Sequence, residues 1–335
     1  MKSNPIPHHY LQATMAGALK QGWSPEQLLQ QAQLPLQLLT SPEQPITEQQ
    51  LSRLTRTVWR CIDDEFLGLS GQPCPTGTFS LMAELVIHSQ TLGGMLKQST
   101  RFYSTLRNDV DISLEIVADQ ADIQLSLKDP SQDPDHLLQE FLLLMWQRFS
   151  SWLVGHHIAP LACRFNYPQP ERFDEYRLMF GTELKFNQPC CGYTLNAKQL
   201  NLPLVRSPAE LKLFLANSPA VILRRPRQDE TLKRQVLQIL MNQDTAELPT
   251  LNSIAEQLHL TTRTLRRKLT QEGAQFRQLK DAIRRDKAIR LLTQENMSIG
   301  QVSHHTGFTE PAAFCRAFKK WTGTQPSNYR RNPKI

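Results

Sequence analysis

Between Thr261 and Leu269 the sequence reads Thr-Thr-Arg-Thr-Leu-Arg-Arg-Lys-Leu. At helical spacing Leu265 and Leu269 fall on one side, and Arg263, Arg266 and Arg267 fall on the other. A guanidinium is a planar fork of donors that keeps its charge. It fits the O6/N7 edge of guanine and it fits phosphate oxygens. A bidentate guanine contact is worth roughly 1–3 kcal/mol of base discrimination. Phosphate contacts position a protein but carry no sequence information. At least one of the three arginines is expected to read a base. Thr261, Thr262 and Thr264 stand at the start of the segment, where a hydroxyl can reach phosphate or a base edge. A second set follows fifty residues on: Pro311, Ala312, Cys315, Arg316, Lys319 and Lys320. Only Arg316 in that set offers strong polar readout. Glu310 beside it would repel phosphate unless it accepts from a cytosine amino group or only caps a helix.

Both sets need rigid supports. Leu251, Ile254, Ala255 and Leu258 recur at helical spacing, so a short helix precedes the arginine-bearing one. Two short helices with the second presenting its polar face form a helix-turn-helix. The pattern then repeats. Ser298 and Gln301 make a capping box, Ile299 and Val302 give an apolar face, and Gly307-Phe308 breaks the chain. Thr309 is a candidate cap for a helix over 311–320, with Pro311 in its first turn and Phe314 and Phe318 facing inward. A basic helix over 276–292 joins the two units. Within it Arg285 has three options: pairing with Asp286, pairing with Glu256, or lying along the interface by its stem.

The charge is divided unevenly. Residues 1–223 hold 17 Lys and Arg against 21 Asp and Glu, a net −4; residues 224–335 hold 21 against 10, a net +11. A polyanion partner for the C-terminal third alone is the direct inference. No apolar run approaches the ~18 residues of a membrane span, and the polar, proline-broken start is unlike a signal peptide. A cytoplasmic location is expected, with no membrane partner. The six cysteines, Cys61, Cys74, Cys163, Cys190, Cys191 and Cys315, form no C-x-x-C pair and are read as reduced. Adjacent Cys190 and Cys191 are read as core or strand filling. No P-loop, G-x-S-x-G or H-E-x-x-H motif is present, so no enzyme class, cofactor or metal is implied.

Ahead of this third, the first seventy residues read as helices. Capping boxes stand at Ser24 and Thr47, and Leu51, Leu54, Val58 and Ile62 mark one buried face. Helices are expected over 79–87 and 91–103. Val110, Ile112, Leu114 and Ile116 alternate with polar residues, as do Ile123, Leu125 and Leu127, which predicts a hairpin with one buried face. A long apolar helix over 135–154 and strands near 161–167 and 182–186 follow. This order argues for α+β rather than a doubly wound sheet. The hairpin, the long helix and the helix over 91–103 are expected to wall a small apolar pocket. Its candidate residues are Phe102, Tyr103, Leu114, Ile116, Phe141, Trp146, Phe149 and Trp152.

The C-terminal residues Ser298-Ile299, Gly307-Phe308, Phe314 through Gly323 and Pro326 through Arg330 together resemble the AraC/XylS family of bacterial transcription regulators. Their fixed spacing over about a hundred residues makes the likeness specific. More loosely, 88–103 and 187–204 resemble the N-terminal sensory domain of one branch of that family, often labelled arabinose-binding. The resemblance implies an α+β N-terminal effector or dimerisation domain, 1–223, then a basic linker, 224–230. An all-α DNA-binding domain, 231–335, would follow, with two helix-turn-helix units joined by a linker helix. It implies double-stranded operator DNA as partner, with a small-molecule effector, RNA polymerase and a second copy of the chain as further candidates. The alternative reading keeps the DNA-binding regulator but makes the N-terminal domain a ligand-free dimerisation module. DNA-repair methyltransferases can carry a similar module beside a reactive cysteine, but no metal-tetrad cysteine spacing supports that here.

Overall fold

The structure, a computed structural model, describes residues 6–41, 46–106, 109–223, 232–241, 247–293 and 297–331. The chain divides into two compact units, Met1–Pro226 and Arg227–Ile335. The expected linker, 224–230, lies outside the described residues.

The N-terminal unit opens with α1 (His9–Lys20), α2 (Pro25–Gln31), α3 (Glu48–Ile62), α4 (Thr78–Val86) and α5 (Leu92–Thr105). Both capping boxes form: Ser24 with Gln27, and Thr47 with Gln50. A hairpin follows, β1 (Val110–Val117) and β2 (Gln120–Leu127), and then α6 (Leu137–Val154). After it come β3 (Ala162–Arg164), α7 (Phe173–Phe180), β4 (Glu183–Lys185), β5 (Cys191–Asn196), α8 (Pro208–Asn217) and α9 (Ala220–Leu223). The five strands form one sheet in the order β1-β2-β5-β3-β4, antiparallel except for β3 with β4.

One sheet face is apolar and packs on α6, where Ile123, Leu125, Tyr193 and Leu195 are each 1% exposed. The other carries a polar ladder. Arg164 bonds Asp122 at 2.6 Å and Thr194 at 2.7 Å, and the Thr194 hydroxyl donates to Asp122 at 2.8 Å. The alternation expected for β1 holds only at its start. Val110 and Ile112 are buried, but Ile116 is 45% and Val117 63% exposed, because the hairpin tip runs past the helices. Ile116 therefore walls no pocket. Cys191 fills the buried start of β5.

α6 is the spine of this unit. Its N-cap, His136, is left-handed and makes no side-chain cap; the buried carboxylate of Asp133 accepts instead from the Leu138 and Gln139 amides, both at 3.1 Å. One turn on, Glu140 is 1% exposed. It accepts from Tyr10 at 3.1 Å, from Arg172 at 3.2 Å and from the Tyr176 hydroxyl. Burial pushes its carboxyl up to about 7, against those three donors, which favour the charged form.

The C-terminal unit is helical throughout its described residues: α10 (Leu232–Met241), α11 (Leu251–Gln257), α12 (Thr262–Gln271), α13 (Phe276–Thr293), α14 (Ile299–His305), α15 (Pro311–Thr322) and α16 (Pro326–Arg331). Both helix-turn-helix turns use the same backbone solution. The second residue after α11 is His259, with φ 52°; the second after α14 is Gly307, with φ 76°. A left-handed residue costs glycine little and histidine roughly 1–2 kcal/mol.

Two consequences are measurable. His259→Gly should stabilise the C-terminal unit by about 1 kcal/mol; an unchanged or lower melting temperature would show that the histidine ring supplies a compensating contact. Glu140 makes stability fall as pH rises. Between the ordinary 4.5 and about 7, the folded unit holds a proton that the unfolded chain has lost, so this contribution is complete below 4.5 and gone above 7. Thermal melts of Glu140→Gln should lack that decline, and a decline of equal size in both proteins would place its origin elsewhere.

Candidate nucleic-acid interface

The first unit is built from the inside outward. Ile254, Ala255, Leu265 and Leu269 are at most 1% exposed and join Val236 and Leu240 of α10 in one core. With Leu265 and Leu269 buried, α12 turns Arg263, Arg266, Arg267 and Lys268 to solvent, all four exposed. Thr261 is the N-cap and accepts from the Thr264 amide at 3.2 Å; its hydroxyl also donates to that of Thr264 at 2.9 Å. The first turn is therefore fixed before any contact is made. Thr262 and Thr264 are half-buried beside it. At the other end of the unit, the Glu272 carboxylate accepts from the Leu232 and Lys233 amides at 3.2 and 2.8 Å, which caps α10.

The second unit repeats the plan with aromatic anchors. Phe314 and Phe318 are fully buried, and Phe318 meets Tyr329 edge-on. Pro311, Ala312, Arg316, Lys319 and Lys320 are exposed, and Cys315 is half-buried. The capping box of Ser298 and Gln301 forms as expected. The expected cap at Thr309 does not: the N-cap is Glu310, and its side chain makes no capping bond. Pro311 supplies no amide at the first helical position, and α15 starts one residue later than a Thr309 cap requires. The Glu310 carboxylate is exposed instead.

α13 holds the two units together and adds charge that the sequence reading left out of the site. Arg277, Lys280 and Arg284 recur at helical spacing on one face. With Arg316 and Lys320 they line an open groove of about 450 Å³. Spacing of i, i+3 and i+7 was the signal available for them. Two of the three are also structural. Lys280 donates to the Leu248 carbonyl at 2.9 Å, ahead of α11. Arg284 lies over the Phe308 ring, 5.1 Å from its centroid, and donates to the Gly307 carbonyl at 3.5 Å. Burial lowers the pKa of both. Of the three options for Arg285, the pairing with Asp286 forms, at 2.8 and 2.9 Å.

In the N-terminal unit a cavity of about 70 Å³ opens among the helices and not against the hairpin. Trp59, Phe66, Phe79, Tyr103 and Phe141 wall it, with Leu215, Ser218 and Ile222 from the α8–α9 segment. Of the eight residues expected at a pocket, Tyr103 and Phe141 line this one. Trp146 and Phe149 are 1% exposed; Trp146 packs edge-on against Tyr103, and Phe149 stacks on Trp152.

Two short helix pairs, each presenting a basic second helix and tied together by one long helix, define a protein of the double helix-turn-helix class that docks on duplex DNA. Residues 22–204 match the model for the arabinose-binding domain of AraC transcription regulators, and residues 254–332 match a helix-turn-helix domain model. The chain belongs to the AraC family and is a DNA-binding transcription regulator with an N-terminal domain of the arabinose-binding type. Similar proteins include the ornithine utilization regulator of Pseudomonas aeruginosa, 25% identical over 98% of this chain and 97% of that one. The urease operon transcriptional activator of Escherichia coli is 39% identical over 29% of this chain and 33% of its own. The crystal structure of the transcriptional regulator CdpR from Pseudomonas aeruginosa is 20% identical and aligns over 98% of this chain and all of that one, with a TM-score of 0.33.

Base readers and backbone anchors separate experimentally. Arg263→Ala, Arg266→Ala and Arg267→Ala should each be tested on specific and scrambled duplex. At least one should relax preference at a single operator position, by roughly 1–3 kcal/mol. Lys319→Ala and Lys320→Ala should weaken both duplexes alike and flatten the salt slope by about one unit each. Parallel losses from all five would refute the division.

Proposed function

We propose that this regulator is operator-specific and effector-responsive: α12 reads bases, α15 chiefly holds the DNA backbone, and the N-terminal unit binds a small molecule that shifts operator affinity. One observation carries the first part. The three α12 arginines are exposed on a helix whose opposite face is locked by Leu265 and Leu269. The second helix supports a positioning role, since Pro311 and Ala312 offer no side-chain hydrogen bond to a base and only Arg316 offers a fork. The effector reading draws on the domain-model match and on the cavity beside α8–α9. The roles of two relatives, in ornithine utilization and in a urease operon, support a small-metabolite signal. They do not transfer its identity.

A second reading has its own support. β1 is a sheet edge, and Ile116 and Val117 at its end are exposed. An apolar strand edge is a template for pairing, so a homodimer through this edge is the competing use of the domain.

The C-terminal fragment from Asp229 should fold alone by circular dichroism and select a defined sequence from random duplex. Its affinity should fall steeply with salt. The full chain should change operator affinity by a factor of about 5–150 with effector present, and the fragment should not respond. An unfolded fragment would show that the domain boundary is wrong, and a folded one that binds all duplexes equally would refute base reading by α12. A full chain indifferent to every metabolite that stabilises it would favour the dimerisation reading.

A further inference from the structure

Two residues that line the cavity beside α8–α9 carry a buried polar atom with nothing to bond. The Trp59 indole N–H and the Ser218 hydroxyl are both buried, and neither has a hydrogen-bond partner among the described residues. Ser218 as a whole is 7% exposed. A buried donor left unpaired is costly, so native interiors supply it with a partner or a ligand does.

The lining also says which ligands fail. Among the described residues no Lys or Arg lines the cavity, and its one charged lining group is Glu65. That carboxylate is committed: it accepts from the Gly77 amide at 2.7 Å and the Phe79 amide at 2.8 Å. An anion would meet a like charge and no counter-charge, so carboxylates and free amino acids do not suit the site. A sugar carries more hydroxyls than Trp59, Ser80 and Ser218 can satisfy. Five aromatic rings with only Trp59, Ser80 and Ser218 as free hydrogen-bonding groups among the lining residues fit a flat, uncharged, mostly apolar molecule with one carbonyl or hydroxyl.

Size supplies the remaining step. The cavity, about 70 Å³, is near half the ~150 Å³ that an engineered protein cavity offers to benzene. A ring can enter only if part of the wall moves. Trp59, Tyr103 and Phe141 belong to long helices, whereas Leu215, Ser218 and Ile222 belong to the short α8–α9 segment. That segment is held by the buried side chains of Leu211, Phe214 and Ile222 and by backbone acceptors. Arg56 donates to the Ser218 and Ala216 carbonyls, each at 2.6 Å, and Arg148 donates to the Ile222 carbonyl. It is also the last described stretch of the N-terminal unit.

We propose that this cavity is the effector site, that it takes a small uncharged ring compound bearing one carbonyl or hydroxyl, and that entry displaces the α8–α9 segment. This rests on the effector-responsive reading above. Because the ligand favours the displaced position, it has different affinities for two states of the segment, which is what a sensor requires.

The test uses the full chain with acetophenone and benzyl alcohol as probes and benzoate as control, titrated by calorimetry. Both neutral compounds should bind in the millimolar range, and benzoate at least about tenfold more weakly. Trp59→Phe keeps the ring and removes the donor; Ser218→Ala removes the hydroxyl. Each should weaken acetophenone or benzyl alcohol about threefold to tenfold, with melting temperature held as the check on folding. Silence from both neutral probes, equal binding of benzoate, or unchanged affinity in both variants would overturn the site. Operator affinity measured alongside keeps the two ideas apart. Binding that depends on Trp59 and Ser218 but leaves operator affinity fixed removes the sensor role. A metabolite that shifts operator affinity equally in wild type and both variants keeps the sensor role and removes this site.

Discussion

Leu265 and Leu269 decide where the arginines of α12 can point. Their burial, at 0% and 1%, anchors a ten-residue helix whose other surface is almost entirely cationic or hydroxylic. Four positive charges within six residues repel one another, and an isolated helix of that length is marginal in water. The leucine contacts to α10 and α11, with the Thr261 cap, make the segment helical before DNA arrives. The guanidinium groups are then presented in a fixed fan. That lowers the ordering cost of a bidentate contact.

The two helix-turn-helix units share a frame but not a chemistry. Both use a left-handed turn residue and an N-capped first helix, and α13 packs against helices of each. The clamps along α13 are polar: Lys280 reaches the Leu248 carbonyl and Arg284 reaches the second turn. Charge that a sequence reading counts toward DNA is thus partly spent inside the unit, and burial lowers the pKa of both groups for the same reason. The units differ in their anchors. Leucines in the first leave three arginines exposed, whereas aromatic packing in the second leaves a first turn of proline and alanine.

Legibility followed periodicity. The helix-turn-helix elements, the hairpin and α6 each carry many residues at one period, so their existence was readable. The elements that escaped have short or interrupted patterns. β5 contains Gly192, which looks like a break. A Cβ there would stand 2.4 Å from the Ile123 carbonyl oxygen, so close approach of β2 demands glycine inside the strand. α7, with eight residues, and the four-residue α9 are too short to show a period. Thr309 was the better cap by type, but Pro311 and the turn geometry moved the helix start to Glu310. The cavity was illegible for a different reason: Glu65, Ser218 and Ile222 are brought to Trp59 by tertiary packing, which no local spacing encodes.

The proposed effector site must also sit where packing can change. The sheet face against α6 cannot provide that, because β2 and β5 are locked in register by their ladder and Ala121, Ile123, Leu125, Cys191, Tyr193 and Leu195 are 1% exposed or less. Shifting one strand there by a residue would turn every apolar side chain outward. The α8–α9 segment is constrained differently. It contributes no strand to the ladder, Leu213 on α8 is 67% exposed, and its grip on α3 and α6 combines backbone carbonyls with the buried side chains of Phe214 and Ile222. Moving such a segment would uncover Leu211, Phe214 and Ile222 but would leave the strand ladder intact. The same bonds that would let it move also give it a defined resting place, since the Arg56 donors would lose the Ser218 and Ala216 carbonyls in any arbitrary position. Two positions separated by a few hydrogen bonds, rather than a continuum, are the physical requirement for a switch.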